Sequence, residues 1–329
     1  MRRRQASCIV SALPLLSMFG GGVNGCSRGL APVAWGSTFL APPSDIDIVG
    51  RVRIVTAAAG ESLVDIARRY RLGQEALRLA NPELPTWLPL SAARVVLPLR
   101  HLLPATTRTG LVVNLPERRL YDYTLMQVAT AGRARIAVYP VSIGRVDWAT
   151  PLGESRIVAR RADPDWTPPA SIRAEAAARG RTLPARVPAG PGNPLGRHAL
   201  YLDRAGYLLH GTNDTNAIGL RVTHGCIRLY PADIAALFRR VANGTPIHFV
   251  DQPLKVGWHA GLLHLEVHPP LAERTRSNTE LVDDAFALVA RALRERSGTR
   301  IESTRIRRAV ERPSGQPVVV ARADGALPR

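Results

Sequence analysis

His210-Gly211-Thr212-Asn213 and Thr223-His224-Gly225-Cys226-Ile227-Arg228-Leu229 lie in one short stretch, with Cys226 sixteen residues after His210. A thiol with a pKa near about 8.5 is only a few per cent ionised at neutral pH, so covalent catalysis by Cys226 needs an adjacent base or a local positive field. His210 and His224 are the two candidate bases. Gly225 lets a substrate carbonyl come close to the backbone. The backbone N–H groups around Gly225 and Cys226 would then form an oxyanion hole, worth about 3–4 kcal/mol per donor in acyl transfer. No Asp or Asn in the motif obviously orients the base, which leaves the Gly211 carbonyl to hold its tautomer. Arg228 has two readings: a partner for a substrate carboxylate, or for a structural acid that fixes the loop. Thr212 and Thr223 read as groups that bond within the site, and Asn213, Asp214 and Asn216 as loop residues. The site calls for no cofactor and no metal.

The surrounding pattern predicts the elements that carry these residues. Leu111–Leu115 and Leu120–Tyr123 read as a hairpin across Pro116-Glu117-Arg118, and residues 134–142 and 154–161 as further strands. Ala199–Asp203 and Tyr207–His210 form a second hairpin that delivers His210. Pro231–Val241 reads as a helix just after the motif, with Pro231 suited to its first turn. Ile247–Val250 adds another strand. Between the strands, residues 163–196 make a long Pro-rich excursion with a short helix at Ala170–Arg179. A connection of that length is usually functional, as a lid or a substrate wall. The expected fold is therefore mainly β with helical insertions over residues 108–251.

A smaller α+β module is predicted before it, over residues 51–100: a strand at Val52–Thr56, a helix opened by Ser62, a second helix at Gln74–Leu79, and a strand at Val95–Pro98. Residues 29–50 read as a linker. Residues 252–329 form a C-terminal extension with a strand at Leu262–Val267, an amphipathic helix at Thr279–Arg296, and a shorter helix and strand after Ile306. Alternation puts His264, Glu266 and His268 on one face of the Leu262–Val267 strand. Three such side chains can bind a metal, but nothing distant completes a ligand set, so a solvated or interface face is expected.

The chain of 329 residues carries a formal charge of +18, nearly all of it arginine, since Lys255 is the only lysine. The arginines are scattered, and no basic stripe interleaved with aromatics argues for nucleic acid. Residues 1–28 read as an export signal: Met1–Arg4 is basic, and the apolar run over residues 6–19 is too short for a permanent span. Two processing readings stand. Val23-Asn24-Gly25-Cys26 resembles a lipobox, which would lipidate Cys26 and give a membrane anchor; an ordinary cut between about residues 31 and 36 is the other. Either leaves Cys226 with at most Cys26 as a partner. An odd cysteine in an oxidising compartment suggests a reactive thiol rather than a structural one.

The stretch HGTNDTNAIGLRVTHGCIRL, residues 210–229, resembles the active-site signature of the YkuD-type L,D-transpeptidase catalytic domain. Trp148–Gly153, Trp166-Thr167-Pro168, residues 187–196 and residues 266–268 are similar to the enterobacterial periplasmic subgroup of that family. Residues 53–99 resemble a divergent LysM module. The resemblance implies a β-sandwich catalytic domain acting in the periplasm. Cys226 would attack the bond between diaminopimelate and D-Ala in a peptidoglycan tetrapeptide stem, with His210 as base, and pass the acyl group to an amine. It implies a field or substrate-binding role for His224 and covalent inhibition by carbapenems. The acceptor stays open: a second diaminopimelate, a lysine of an outer-membrane lipoprotein, or water, the last giving an L,D-carboxypeptidase. The LysM-like segment would bind glycan strands or serve only as packing. A non-catalytic wall-binding protein is the remaining alternative.

Overall fold

Two buried strands, β6 (Leu111–Asn114) and β7 (Arg119–Asp122), start the main domain, with no residue of either exposed. The structure, a computed structural model, describes residues 38–127, 134–294 and 298–323. The N-terminal signal reading and Cys26 lie outside those residues. Ahead of β6 stand β1 (Thr38–Leu40), β2 (Ile48–Gly50), β3 (Arg53–Thr56), α1 (Leu63–Tyr70), α2 (Gln74–Ala80), β4 (Arg94–Leu97) and β5 (Arg100–Leu102). After β7 come α3 (Thr124–Gln127), β8 (Arg135–Gly144), β9 (Gly153–Ala162), α4 (Ala170–Ala178), β10 (His198–Leu202), β11 (Leu208–His210), β12 (Arg221–Thr223), β13 (Ile227–Leu229), α5 (Pro231–Arg240) and β14 (Pro246–Val250). The C-terminal part is β15 (Leu254–His259), β16 (Leu262–Val267), α6 (Asn278–Leu293), β17 (Thr299–Ile301), α7 (Ser303–Glu311) and β18 (Val318–Ala323).

The main sheet is mixed and runs β1-β8-β13-β11-β10-β9-β14-β6-β7, with β12 beside β8. A further pairing of β7 with β8 closes it on itself, so that β7 is not left as a free edge. Leu111, Leu120, Val141, Ile157, Leu200 and Leu229 meet in one core, and α5 covers it with Ile234 and Leu237. The fold is mainly β with helices, as the sequence pattern predicts.

Part of the predicted linker is folded. Thr38–Leu40 pairs antiparallel with β8, and Ile48–Gly50 pairs with β5. Pro42, Pro43 and Ser44 between them hide these three-residue strands from a periodicity argument.

The small module has the helices its caps predict: Ser62 caps α1 reciprocally with Asp65. It packs against the main domain. Gln74 donates its N–H to the Ile218 carbonyl at 2.9 Å, and its side-chain amide to the Asn216 carbonyl at 2.5 Å. Arg71 pairs with Asp233 at 3.0 Å, and Tyr230 donates to the Leu72 carbonyl at 3.0 Å. Gly219, at φ +88°, lies so close that a Cβ there would sit 2.5 Å from Gly73. The module therefore buttresses residues 216–219, inside the loop that joins His210 to Cys226.

The C-terminal strands form their own four-stranded sheet, with α6 and α7 packed on it around Leu263, Leu265, Val289 and Ile306. The face carrying Glu266 and His268 is not solvated. Both residues are buried, because the main domain's β6–β7 hairpin covers them. Glu117 from that hairpin brings its carboxylate within 4.8 Å of the Glu266 and His268 donor atoms, so a third ligand type does arrive from far in sequence. Two cations meet these carboxylates, Arg119 from the hairpin and Lys255 from β15. Arg119 reaches Glu117 at 2.9 Å and Glu266 at 2.7 Å, and Lys255 lies 2.9 Å from Glu117. The two carboxylates are thus matched by two protein cations, and the cluster reads as an interface staple. His264 stands apart, with Nε2 3.1 Å from Arg100. Among the described residues, no helix is long and apolar enough to cross a membrane.

Candidate active site

Strands β11 and β13 run parallel, with Leu209 opposite Ile227 and His210 opposite Arg228. Aligned residues of neighbouring strands face the same way, and alternate residues along a strand share a face. His210, Arg228 and Cys226 are therefore brought to one side of the sheet, where all three line a cleft of about 660 Å³. Trp148, Trp166, Ile172, Tyr201 and Tyr207 form much of its wall. Its size is that of a small-ligand site, apolar with a few convergent polar groups.

His210 is buried, and its Nδ1 lies 2.7 Å from the Gly211 carbonyl. A carbonyl only accepts, so Nδ1 carries the proton and a neutral ring keeps its lone pair at Nε2. Burial, aided by the Arg228 charge, pulls the imidazole down to about 3. Cys226 is a free thiol. Burial pushes it up to about 11, against the opposing effects of a bond from the Leu208 backbone and the Arg228 charge. At rest the pair is therefore neutral thiol and neutral imidazole rather than an ion pair.

The loop around Cys226 is built tightly. Gly225 sits at φ +98°, and a Cβ there would meet the Tyr207 ring at 2.7 Å, so glycine is required on both counts. Thr150 donates to the Gly225 carbonyl at 2.8 Å and accepts from the Gly144 N–H at 3.0 Å. In a trans peptide the N–H points opposite the carbonyl, so this anchor fixes the direction of the Cys226 N–H. Thr223 spans the turn, donating to the Cys226 carbonyl at 2.6 Å. Thr212 closes the other loop through Asp214, at 2.9 Å to both its N–H and its carbonyl. Gly211 packs against Ile234 and the Leu195 carbonyl, at 3.2 and 3.3 Å from a would-be Cβ.

His224 is engaged elsewhere. Its Nε2 lies 2.7 Å from a Glu175 carboxylate oxygen, and its ring meets Trp148 edge-on at 4.9 Å. Glu175 also takes Arg145 through both oxygens, at 2.9 and 3.0 Å, and these contacts hold its carboxyl down at about 2. An ionised carboxylate only accepts, so His224 Nε2 must donate and cannot take a proton from Cys226. Arg228 makes no ion pair among the described residues, and its buried Nε has no hydrogen-bond partner.

Sequence reasoning did not assign Thr150, Glu175 or Arg145. Thr150 lies within Trp148–Gly153, the stretch similar to the enterobacterial subgroup, and that similarity is the signal that marks it. Glu175 is the one acid in an alanine-rich helix, and nothing local marks it.

Four buried imidazoles set an acid limit on stability. His101, His210, His264 and His268 are all held below the ordinary histidine value, chiefly by burial, His264 at about 4. Each depressed group contributes stability that is present above about pH 6.5 and is lost as pH falls, at up to about 1.4 kcal/mol per pH unit. Asp233 works in the other direction, because burial raises it to about 7, so its contribution is lost as pH rises through that value. The depressed imidazoles outnumber the raised carboxyls, which predicts a thermal midpoint that falls between pH 7 and pH 5. A flat profile across that window would contradict the neutral assignments.

The profile of the YkuD-type L,D-transpeptidase catalytic domain matches residues 108–249. The Escherichia coli (strain K12) protein named "Probable L,D-transpeptidase YcfS" is 38% identical over 299 residues, covering 89% of this chain and 91% of its own length. "Probable L,D-transpeptidase ErfK/SrfK" of Salmonella typhimurium is 39% identical, covering 85% of this chain and 90% of its own. "Probable L,D-transpeptidase YbiS" of Escherichia coli (strain K12) is 38% identical, covering 74% and 79%. With the thiol, the imidazole and their loop in one cleft, and with relatives of this identity along most of its length, the chain belongs to the L,D-transpeptidase family.

Proposed function

We propose that this protein is an L,D-transpeptidase of peptidoglycan in which Cys226 is the nucleophile and His210 the base. The observation that carries the reading is the His210 Nδ1 contact with the Gly211 carbonyl, which leaves Nε2 as an acceptor in the cleft that Cys226 lines. His210 Nε2 takes the thiol proton as Sγ bonds to the diaminopimelate carbonyl of a tetrapeptide stem. The oxyanion forms against the Cys226 N–H, whose direction the Thr150–Gly225 bond sets. The C–N bond then breaks, D-Ala leaves with the proton from His210, and a thioester remains. An amine attacks it, giving up its proton to His210, and the thiol is released. The unpaired Arg228 on the same cleft supports the carboxylate reading of that residue, since a stem-peptide carboxylate would complete its bonding.

The setting we propose is the periplasm, reached through the N-terminal signal, with Cys26 as an optional lipid anchor. The segment over residues 51–100 would hold glycan strands while it supports the catalytic loop. The test is a soluble disaccharide-tetrapeptide incubated with the full chain. D-Ala release with an acyl adduct on the Cys226 peptide, followed by a cross-linked product, is the expected result. Product ending in water rather than an amine would assign an L,D-carboxypeptidase. A carbapenem, whose strained carbonyl can enter the same hole, is expected to leave a stable adduct on that peptide and to stop D-Ala release. An adduct that persists in Cys226→Ala, or turnover untouched at saturating carbapenem, would sink this site model.

A further inference from the structure

The excursion between β9 and β10 is closed at its base. Asp163 N–H donates to the Arg197 carbonyl at 2.7 Å, Trp166 and Val187 form an isolated bridge, and the Asn193 side chain donates to the Pro164 carbonyl at 2.8 Å. Beyond that bridge stands α4, and its own apolar burial is slight: of its nine residues only Ala176 is buried. A helix with one buried alanine is not held by the hydrophobic effect. What holds it is Glu175. Its carboxylate meets His224, two residues before Cys226, at 2.7 Å, and Arg145, at the end of β8, at 2.9 and 3.0 Å. Arg179, one turn on, braces the same carboxylate at 2.7 Å. One side chain thus joins three segments distant in sequence: the excursion, the β8 end and the nucleophile's loop. The excursion also supplies cleft wall through Trp166, Ile172 and Leu195.

We propose that Glu175 is a positioning residue, a clamp that fixes the α4 wall of the cleft to the nucleophile's loop through His224 and so sets the affinity for the acyl-donor stem. This deepens the proposed function and rests on Cys226 as the acylated group. Glu175 touches no reacting atom. Its loss frees the wall and turns a preformed cleft into one that the substrate must assemble, a cost that appears in KM before kcat.

The experiment compares wild type, Glu175→Gln and Glu175→Ala in the full chain. It measures kcat and KM for D-Ala release, the alkylation rate of Cys226 by iodoacetamide, and amide exchange across residues 170–178. For Glu175→Ala the expectation is a KM rise of about tenfold with kcat changed by less than about threefold. Exchange in α4 should quicken, and alkylation by the small reagent should stay within about twofold of wild type. Glu175→Gln, which keeps size and one hydrogen bond, should fall between the two and guards against a folding defect. Unchanged KM with unchanged exchange in Glu175→Ala overturns the clamp. So does a fall in kcat and alkylation at constant KM, which would place Glu175 in the chemistry. If wild type itself releases no D-Ala, the peptidoglycan reading fails, while exchange in α4 still decides whether Glu175 holds the wall.

Discussion

Cys226→Ala is expected to remove D-Ala release and cross-link formation together, by at least about 10⁴-fold, with the fold intact. The size follows from the absence of a substitute. Thr212 and Thr223 are both tied into their own loops, and neither hydroxyl has a base. The change is small sterically, one sulfur removed from a cleft wall, so the thermal midpoint should move little. Residual turnover above a few per cent, measured by D-Ala release, would show that the chemistry does not pass through this thiol.

The second large effect belongs to His210. His210→Ala is expected to lower acylation by about 10³-fold or more, since His210 Nε2 is the proposed acceptor of the thiol proton. His224→Gln should keep measurable activity, because His224 Nε2 donates to Glu175. The pH dependence separates the two further. A base held at about 3 stays neutral, and therefore competent, far below pH 6.5, so the acid limb of kcat/KM should lie well under the ordinary histidine value. Iodoacetamide alkylation should climb only on the alkaline side, as a thiol pushed up to about 11 requires. An acid limb near pH 6.5 that vanishes in His224→Gln would transfer the base role to His224.

The parts of this molecule legible from sequence are those whose cause is local. His210 and Cys226 declare themselves because an imidazole and a thiol among glycines have few other uses, and the Ser62 cap and the β6–β7 turn are written in adjacent residues. What escaped notice depends on partners far along the chain. Glu175 acquires meaning only when the excursion folds back 49 residues to His224. The Glu266 and His268 face reads from sequence as solvated or interface, because alternation says which side a residue takes, not what covers that side. Its cover, Glu117 and Arg119, comes from a hairpin about 150 residues earlier. The short strands of the supposed linker failed for a related reason: three residues have no period, and their pairing partners β5 and β8 are what make them strands.

The staple between the main domain and the C-terminal sheet also decides how this enzyme treats itself. Lys255 is the chain's single lysine, and its ammonium is buried between Glu117, Glu266 and Tyr121. On the proposed chemistry, the protein carries an activated acyl group that any accessible side-chain amine could capture. Its surface offers none. The charge of +18 rests on guanidinium groups, which stay protonated at all working pH and do not attack a thioester. On that chemistry, a strongly basic chain carries its charge without offering a lysine side chain to its own thioester.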